Sequence, residues 1–271
     1  MKSRYPGTQA VSRAVGLLKA FTPEAPELRL QELCSGQGLN KTTAYRLLKA
    51  LEAEGMVERA PAGDAWRLGP EIVALGSRAL GGVDLRATAR EELRALAAET
   101  RETVTLEVLA GADTLILDEA MGGHVIGTMP SVGTRWPAHA TSTGKALLAA
   151  LSAEGRAALL PARLARPTPR TIGERSALER ELQRVASRGY ATSIEELEPG
   201  FVAVAAVVRS SAGQPLGAIS VGGPRSRIGV RLEALGRRVS AVAARLSARL
   251  GYRDGMRRGM RAPLATRRTR P

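Results

Sequence analysis

The stretch Asn40-Lys-Thr-Thr-Ala-Tyr-Arg-Leu-Leu-Lys49 holds the residue types whose spacing most plainly could do chemistry. At helical period Thr42, Tyr45, Arg46 and Lys49 fall on one side, a hydroxyl, a phenol and two cations. Ala44, Leu47, Leu48 and Leu51 follow i, i+3, i+4, i+7 and form an apolar stripe on the other. Asn40 is a good N-cap, so the helix starts with free backbone N–H groups beside Lys41, Thr42 and Thr43. The chemistry on offer is hydrogen bonding and charge, which suits the major groove of double-stranded DNA. Alone, the pattern better describes an amphipathic helix with a solvated basic face. The surrounding sequence decides between the two.

Bond-making chemistry finds no constellation. His124 and His139 are the two histidines, too few for a histidine-based zinc site, and the lone Cys34 lies far away in sequence. No Gly-x-Ser-x-Gly elbow occurs. Ser142-Thr-Gly-Lys-Ala146 resembles a phosphate loop but lacks its first glycine and the hydroxyl that would hold magnesium. His139 reads as a loop pin, Cys34 as a packed core thiol and Glu195-Glu-Leu-Glu198 as solvated loop acids. The expectation is a protein that is no enzyme and needs no metal or cofactor.

At the level of the whole chain, 271 residues suffice for two domains with cores, which at 3% aromatic content must be filled by Leu, Val and Ala. Forty Lys+Arg against 26 Asp+Glu give a net charge of +14, favouring a polyanionic partner. Recognition of single strands by stacking would need more aromatics. One cysteine fits a reducing compartment, and no window approaches the ~20 apolar residues of a membrane span. A cytoplasmic protein with no membrane partner is expected.

Three helices are predicted to position the basic face: Gln9 to Phe21, a short one around Leu30, Leu33 and Cys34 broken by Gly36 and Gly38, and the helix after Asn40. Two extended runs about Pro61-Ala-Gly-Asp64 read as a hairpin wing, with Arg59 and Arg67 flanking its tip and reaching the DNA backbone or a minor groove. Ala14-Val-Gly-Leu-Leu-Lys-Ala-Phe21, Leu39-Asn-Lys-Thr-Thr-Ala-Tyr-Arg-Leu-Leu48, Leu51-Glu-Ala-Glu-Gly55 and Trp66-Arg-Leu-Gly69 resemble, in order and spacing, the DNA-binding domain of IclR-type transcriptional regulators. In that family the Thr-Ala-Tyr-Arg-Leu-Leu segment belongs to the recognition helix. The DNA-contacting set implied is Lys41, Thr42, Thr43, Tyr45, Arg46, Lys49, Arg59 and Arg67.

Beyond a helical linker (residues 71–84, with a joint at Gly81-Gly82) the pattern changes. A helix from Leu85 to Thr100 precedes β-rich runs at Val104–Leu109, Thr114–Asp118 and His124–Met129, punctuated by glycines as in an antiparallel meander. Helices at Gly144–Leu151 and Ala177–Arg188, strands at Val202–Val208 and Pro215–Val221, and a last helix at Val230–Leu250 complete an α+β domain. The segments 132–149, 189–200 and 218–224 resemble effector-domain motifs of the same family, whose domain has a GAF-like fold and binds a small molecule, often a carboxylate, that changes operator binding. The resemblance covers residues 9 to 251 and implies an effector pocket lined by Thr128, Ser142, Thr143, Ser193, Phe201, Ala203 and Ser220. Members often carry an acid at the position of Ser193, a cysteine at Ala203 and a serine at Gly222, so this pocket is expected to make fewer polar demands. Thr141-Ser-Thr-Gly-Lys145 runs into a helix N-terminus, which favours a bound anion, here a carboxylate with a hydrophobic or aromatic body. Lys145 would add field or point to solvent.

The last stretch, residues 252–271, sets seven arginines against one aspartate and contributes +6 of the net charge; a disordered tail is expected. The organisation is therefore a winged helix-turn-helix (1–70), a linker (71–84), an effector domain (85–251) and a basic tail. A homodimeric or homotetrameric regulator of a metabolic operon, binding an operator and an organic-acid effector, is the reading. The competing one is a general or architectural DNA-binding protein without ligand control.

Overall fold

The computed structural model describes residues 8–22, 25–61, 63–79, 85–123 and 132–253. The chain divides into two compact units, residues 1–84 and 85–271.

In the first unit α1 spans Gln9–Leu18. It stops short of the expected Phe21, because Lys19 and Ala20 close a turn and Phe21 drops into the core. A short strand, β1 (Glu27–Arg29), adds to the expected elements: with one apolar residue, Glu27-Leu-Arg29 has no alternation to read. It leads into α2 (Leu30–Gln37), whose Glu32 carboxylate accepts the Arg29 N–H at 2.7 Å. Gly38 then adopts φ +61°, the left-handed turn between the two helices that a side chain would strain. The helix α3 (Lys41–Ala53) is capped by Asn40, whose Oδ1 accepts the Thr43 N–H at 2.8 Å. The wing follows as β2 (Val57–Arg59) and β3 (Ala65–Leu68), and β3 pairs with both β1 and β2. Leu17, Phe21, Leu33, Leu48, Val57 and Trp66 form the core, with Cys34 buried beside them. Each large side chain so buried is worth about 1.5–3 kcal/mol. A further helix, α4 (Pro70–Ala79), closes the described part of this unit.

The second unit is built on one antiparallel sheet. Its elements are α5 (Leu85–Thr100), β4 (Thr103–Ala110), β5 (Asp113–Ala120), β6 (Arg135–Pro137), α6 (Ser142–Ala149), α7 (Ala153–Leu159), α8 (Arg175–Arg188), β7 (Ala191–Ile194), β8 (Phe201–Arg209), β9 (Pro215–Pro224), α9 (Arg225–Ile228) and α10 (Leu232–Arg249). The strand order is β6-β5-β4-β9-β8-β7. Period-two alternation sends Val104, Leu106, Val202, Val204, Ile219 and Val221 to one face, where α5 and α10 supply Leu93, Leu96, Val239 and Leu246. The opposite face receives Ala205 and Ala218, covered by Ala146 and Leu147 of α6 and Val185 of α8. The short strands β6 and β7 and the helix α7 lie outside the expected elements; three or four residues of strand carry too little periodicity to announce themselves. The expected strand His124–Met129, with Thr128, the Gly81-Gly82 joint and the tail beyond Arg253 lie outside the described residues. No helix among the described residues is long and apolar enough to cross a membrane.

Candidate functional site

On α3 the leucine stripe faces inward, with Ala44 and Leu48 fully buried and Leu47 and Leu51 partly so. The opposite side is thereby fixed outward: Lys41, Thr42, Tyr45, Arg46 and Lys49 are exposed, and Thr43 is half-buried with its N–H given to the cap. Two of the expected contacts have partners within the protein. Lys49 is not a free cation, since it pairs with Glu52 one turn on. Arg67 does not extend from the wing; its guanidinium is held by Glu58 on the neighbouring strand at 2.6–2.7 Å. The guanidinium of Arg59 sits over Trp66, 4.0 Å from the ring centre, and Arg29 pairs with Asp64 at 3.0 Å. Arg46, with Lys41, Thr42 and Tyr45, is thus the outward polar group of α3 least committed within the protein.

The second unit contains a cavity of about 70 Å³ on the sheet face beneath the start of α6. Strand register explains which side chains reach it. One rung across the sheet is Thr103, Gly222, Ala203 and Ser193; the next is Glu119, Thr105 and Ser220. A register shift between Leu106 and Glu107 puts Ile116 and Glu119 on the same face of β5 as Glu107 on β4. From above, Thr141, Ser142 and Thr143 complete the wall, with Trp136, Leu197 and Phe201 at the sides. Six of the seven residues implied for the pocket therefore meet: Ser142, Thr143, Ser193, Phe201, Ala203 and Ser220. The seventh, Thr128, is not among the described residues.

Lining the cavity is not the same as being free for a ligand. Thr143 donates its hydroxyl to Glu107 Oε2 at 2.6 Å, and Thr105 donates to Glu107 Oε1 at 2.8 Å. Ser220 is bonded to Thr105 at 2.8 Å, and Ser193 donates to the Ala140 carbonyl at 2.9 Å. Ser142, nearly fully buried, has a hydroxyl with no partner among the described residues. The carboxylate that the start of α6 is expected to attract from a ligand is thus supplied by the protein itself, as Glu107. Four further polar residues, Thr103, Thr105, Glu107 and Glu119, line a pocket whose surface is mostly apolar. Burial, reinforced by the neighbouring Asp118, pushes the Glu119 carboxyl above the usual carboxylate range. Glycine at 222 has a reason here: a Cβ would stand 2.7 Å from Phe201 Cζ, so Phe201 occupies the space a serine would need.

Lys145 contributes nothing to the cavity. It is buried and donates to Glu196 Oε1 at 2.6 Å. Glu196 is accordingly no solvated acid; its carboxyl is raised by burial, against the pull of Lys145, and its second oxygen has no hydrogen-bond partner. Glu195 is partly covered and paired with two arginines, its carboxyl held below the usual range by the Gly200 N–H and then by Arg225 and Arg170. His139 pins its loop as expected, with Nε2 2.7 Å from the Ala165 carbonyl oxygen.

Comparison with known proteins gives these two units a family. Residues 10–61 match the model of the IclR helix-turn-helix domain, and residues 77–248 that of the bacterial transcriptional regulator IclR C-terminal domain. The chain is 33% identical over 224 residues to the HTH-type transcriptional regulator XynR of Escherichia coli, covering 82% of this chain and 89% of that one. Among solved structures, the IclR transcriptional regulator of Alicyclobacillus acidocaldarius aligns with a TM-score of 0.72 at 30% identity, over 92% of this chain and all of that one. An IclR homologue from Microbacterium hydrocarbonoxydans, solved in complex with 4-hydroxybenzoate, aligns with a TM-score of 0.75 at 26% identity, over 89% and 99% of the two chains. These relatives are DNA-binding regulators rather than enzymes, and the chain belongs to the IclR family of transcriptional regulators.

Proposed function

We propose that the chain is a ligand-responsive regulator of a metabolic operon. Its α3 enters the major groove of a double-stranded operator, and a compact organic effector bound beneath α6 shifts operator affinity. The observation that carries this reading is the cavity: a general DNA-binding protein has no need of a largely apolar pocket with a hydroxyl, Ser142, that bonds no other described residue. The outward set Lys41, Thr42, Tyr45 and Arg46 supports groove reading, and Arg59 and Arg67 flank the recognition helix as supports of the wing rather than as its leading contacts. Operators read by such helices are two-fold, so the working unit is a homodimer or a homotetramer. The relative solved in complex with 4-hydroxybenzoate supports an effector of about one ring.

The test begins with operator fragments selected from a random DNA library by the full-length protein. Arg46→Ala should weaken binding to the selected operator by about 1–3 kcal/mol per half-site with an unchanged melting temperature, because Arg46 faces away from the core. A metabolite panel spanning cations, neutral molecules and anions is then screened for shifts in operator affinity. Operator binding indifferent to every member would return the protein to the class of DNA-binding proteins without ligand control.

A further inference from the structure

The charge of the effector is written into the walls of the cavity. Two carboxylates line it, Glu107 and Glu119, diagonal neighbours across the β4–β5 pair. None of the described residues lining it is lysine, arginine or histidine; the segment 124–131, outside the described residues, holds one histidine, His124, and no lysine or arginine. The nearest candidate counter-ion, Lys145, is spent on Glu196. Asp118, beside Glu119 in sequence, is paired with Arg86 and Arg90 at 3.4 and 3.1 Å. Glu107, 6% exposed, is stabilised by two threonine hydroxyls but by no cation, and the side chain of Glu119 has no hydrogen-bond or ion-pair partner among the described residues. A buried carboxylate without a counter-charge is costly, and a ligand of the same sign would add to that cost. A ligand of opposite sign removes it.

We infer that this cavity selects a compact organic cation, a protonated amine on a small apolar or aromatic body, with the ammonium held by Glu107 and Glu119 and the body against Trp136 and Phe201. The proposal rests on the ligand-responsive reading above and gives its effector a chemical class. The aromatic walls fit it twice, as apolar surface for the body and as ring faces for the positive charge. Ser142 supplies a neutral hydrogen bond that either an ammonium or a hydroxyl substituent on the body can use. The small volume, against the ~300–1,000 Å³ of drug-sized pockets, limits the body to about one ring.

Calorimetry on the full-length protein with benzylamine, benzyl alcohol and benzoate separates the possibilities, since the three share a body and differ in charge. Benzylamine should bind about tenfold or more tighter than the other two. Glu119→Gln and Glu107→Gln should each erase most of that preference, with circular dichroism confirming the fold; Glu119→Gln is the safer variant because its side chain is less buried. Equal or tighter binding of benzoate or of benzyl alcohol overturns the assignment. So does undetectable binding of benzylamine at about 10 mM, well above the millimolar affinity expected of a fragment this small, and so does a preference that survives both substitutions. A benzoate preference that also shifts operator affinity would defeat the charge assignment while leaving the ligand-responsive reading intact; that reading falls only if no panel member of any charge moves operator affinity.

Discussion

Individual residues in the second unit take their roles from strand register rather than from their own chemistry. Thr143 and Ser220 are on the pocket wall, yet their hydroxyls are used to hold Glu107 and Thr105. Gly222 shows the same dependence in steric form, because the ring of Phe201 fills the space above it. Gly222→Ser should therefore cost about 1–3 kcal/mol in chemical denaturation, the usual range for overpacking, and displace the ring into the cavity. Phe201→Ala removes the obstacle, so the double variant should be more stable than the sum of the two single losses; strict additivity would show that the two side chains do not compete. Four pocket positions, Ser142, Thr143, Ser193 and Ser220, are legible because they sit in contiguous motifs, and Phe201 and Ala203 lie just beyond one of them. The acids are not, although the signal exists: in Thr103-Val-Thr-Leu-Glu107 the apolar residues alternate with Thr, Thr and Glu, which must share the opposite face. Reading a strand for its core side alone discards the residues it presents to a site.

At the scale of elements, α6 is fastened to the β7–β8 connection by one buried ion pair, Lys145–Glu196. The helix itself is readable, two residues earlier than the expected Gly144–Leu151, but the partner of Lys145 is not, because 51 residues separate the two and nothing local marks Glu196 as different from Glu195. Two buried charges hold each other only while both are present. Lys145→Met should cost about 3–5 kcal/mol, since it strands Glu196 in a dry site. Adding Glu196→Gln should recover most of the loss. The single variant also acquires a pH signature. Burial already raises the Glu196 carboxyl above the ordinary value near 4.5, and loss of the lysine raises it further. A group raised on folding binds its proton more tightly in the native state, so its stabilising effect is full at low pH and fades as pH rises through the folded value. Lys145→Met should be visibly more stable relative to the parent at about pH 5 than at about pH 7, and a pH-independent deficit would mean that water or a neighbour solvates Glu196 after all. The short strands β1, β6 and β7 belong to this scale too: pairing with a longer neighbour makes them strands, and that information is not in their own three or four residues.

For the molecule as a whole, the dominant physical quantity is the charge of +14, to which residues 252–271 give +6. Much of the remaining basic surface is neutralised internally, since Arg67, Arg227, Arg238 and Arg245 are each paired with a glutamate. Arginines that meet DNA phosphates act by releasing counter-ions, an effect that is blind to sequence and steep in salt. Truncation after Tyr252 should therefore weaken binding to operator and non-operator DNA by similar factors. It should also flatten the plot of log affinity against log salt by up to about 0.9 for each phosphate that the shortened chain no longer neutralises. The ratio of specific to non-specific affinity should stay unchanged, because the outward face of α3 is untouched. Fluorescence anisotropy on both DNAs across a salt series measures all three quantities. A selective loss of operator binding at constant slope would reverse the assignment and make the arginine-rich stretch a reader of sequence or groove shape, in the manner of basic arms that enter a minor groove.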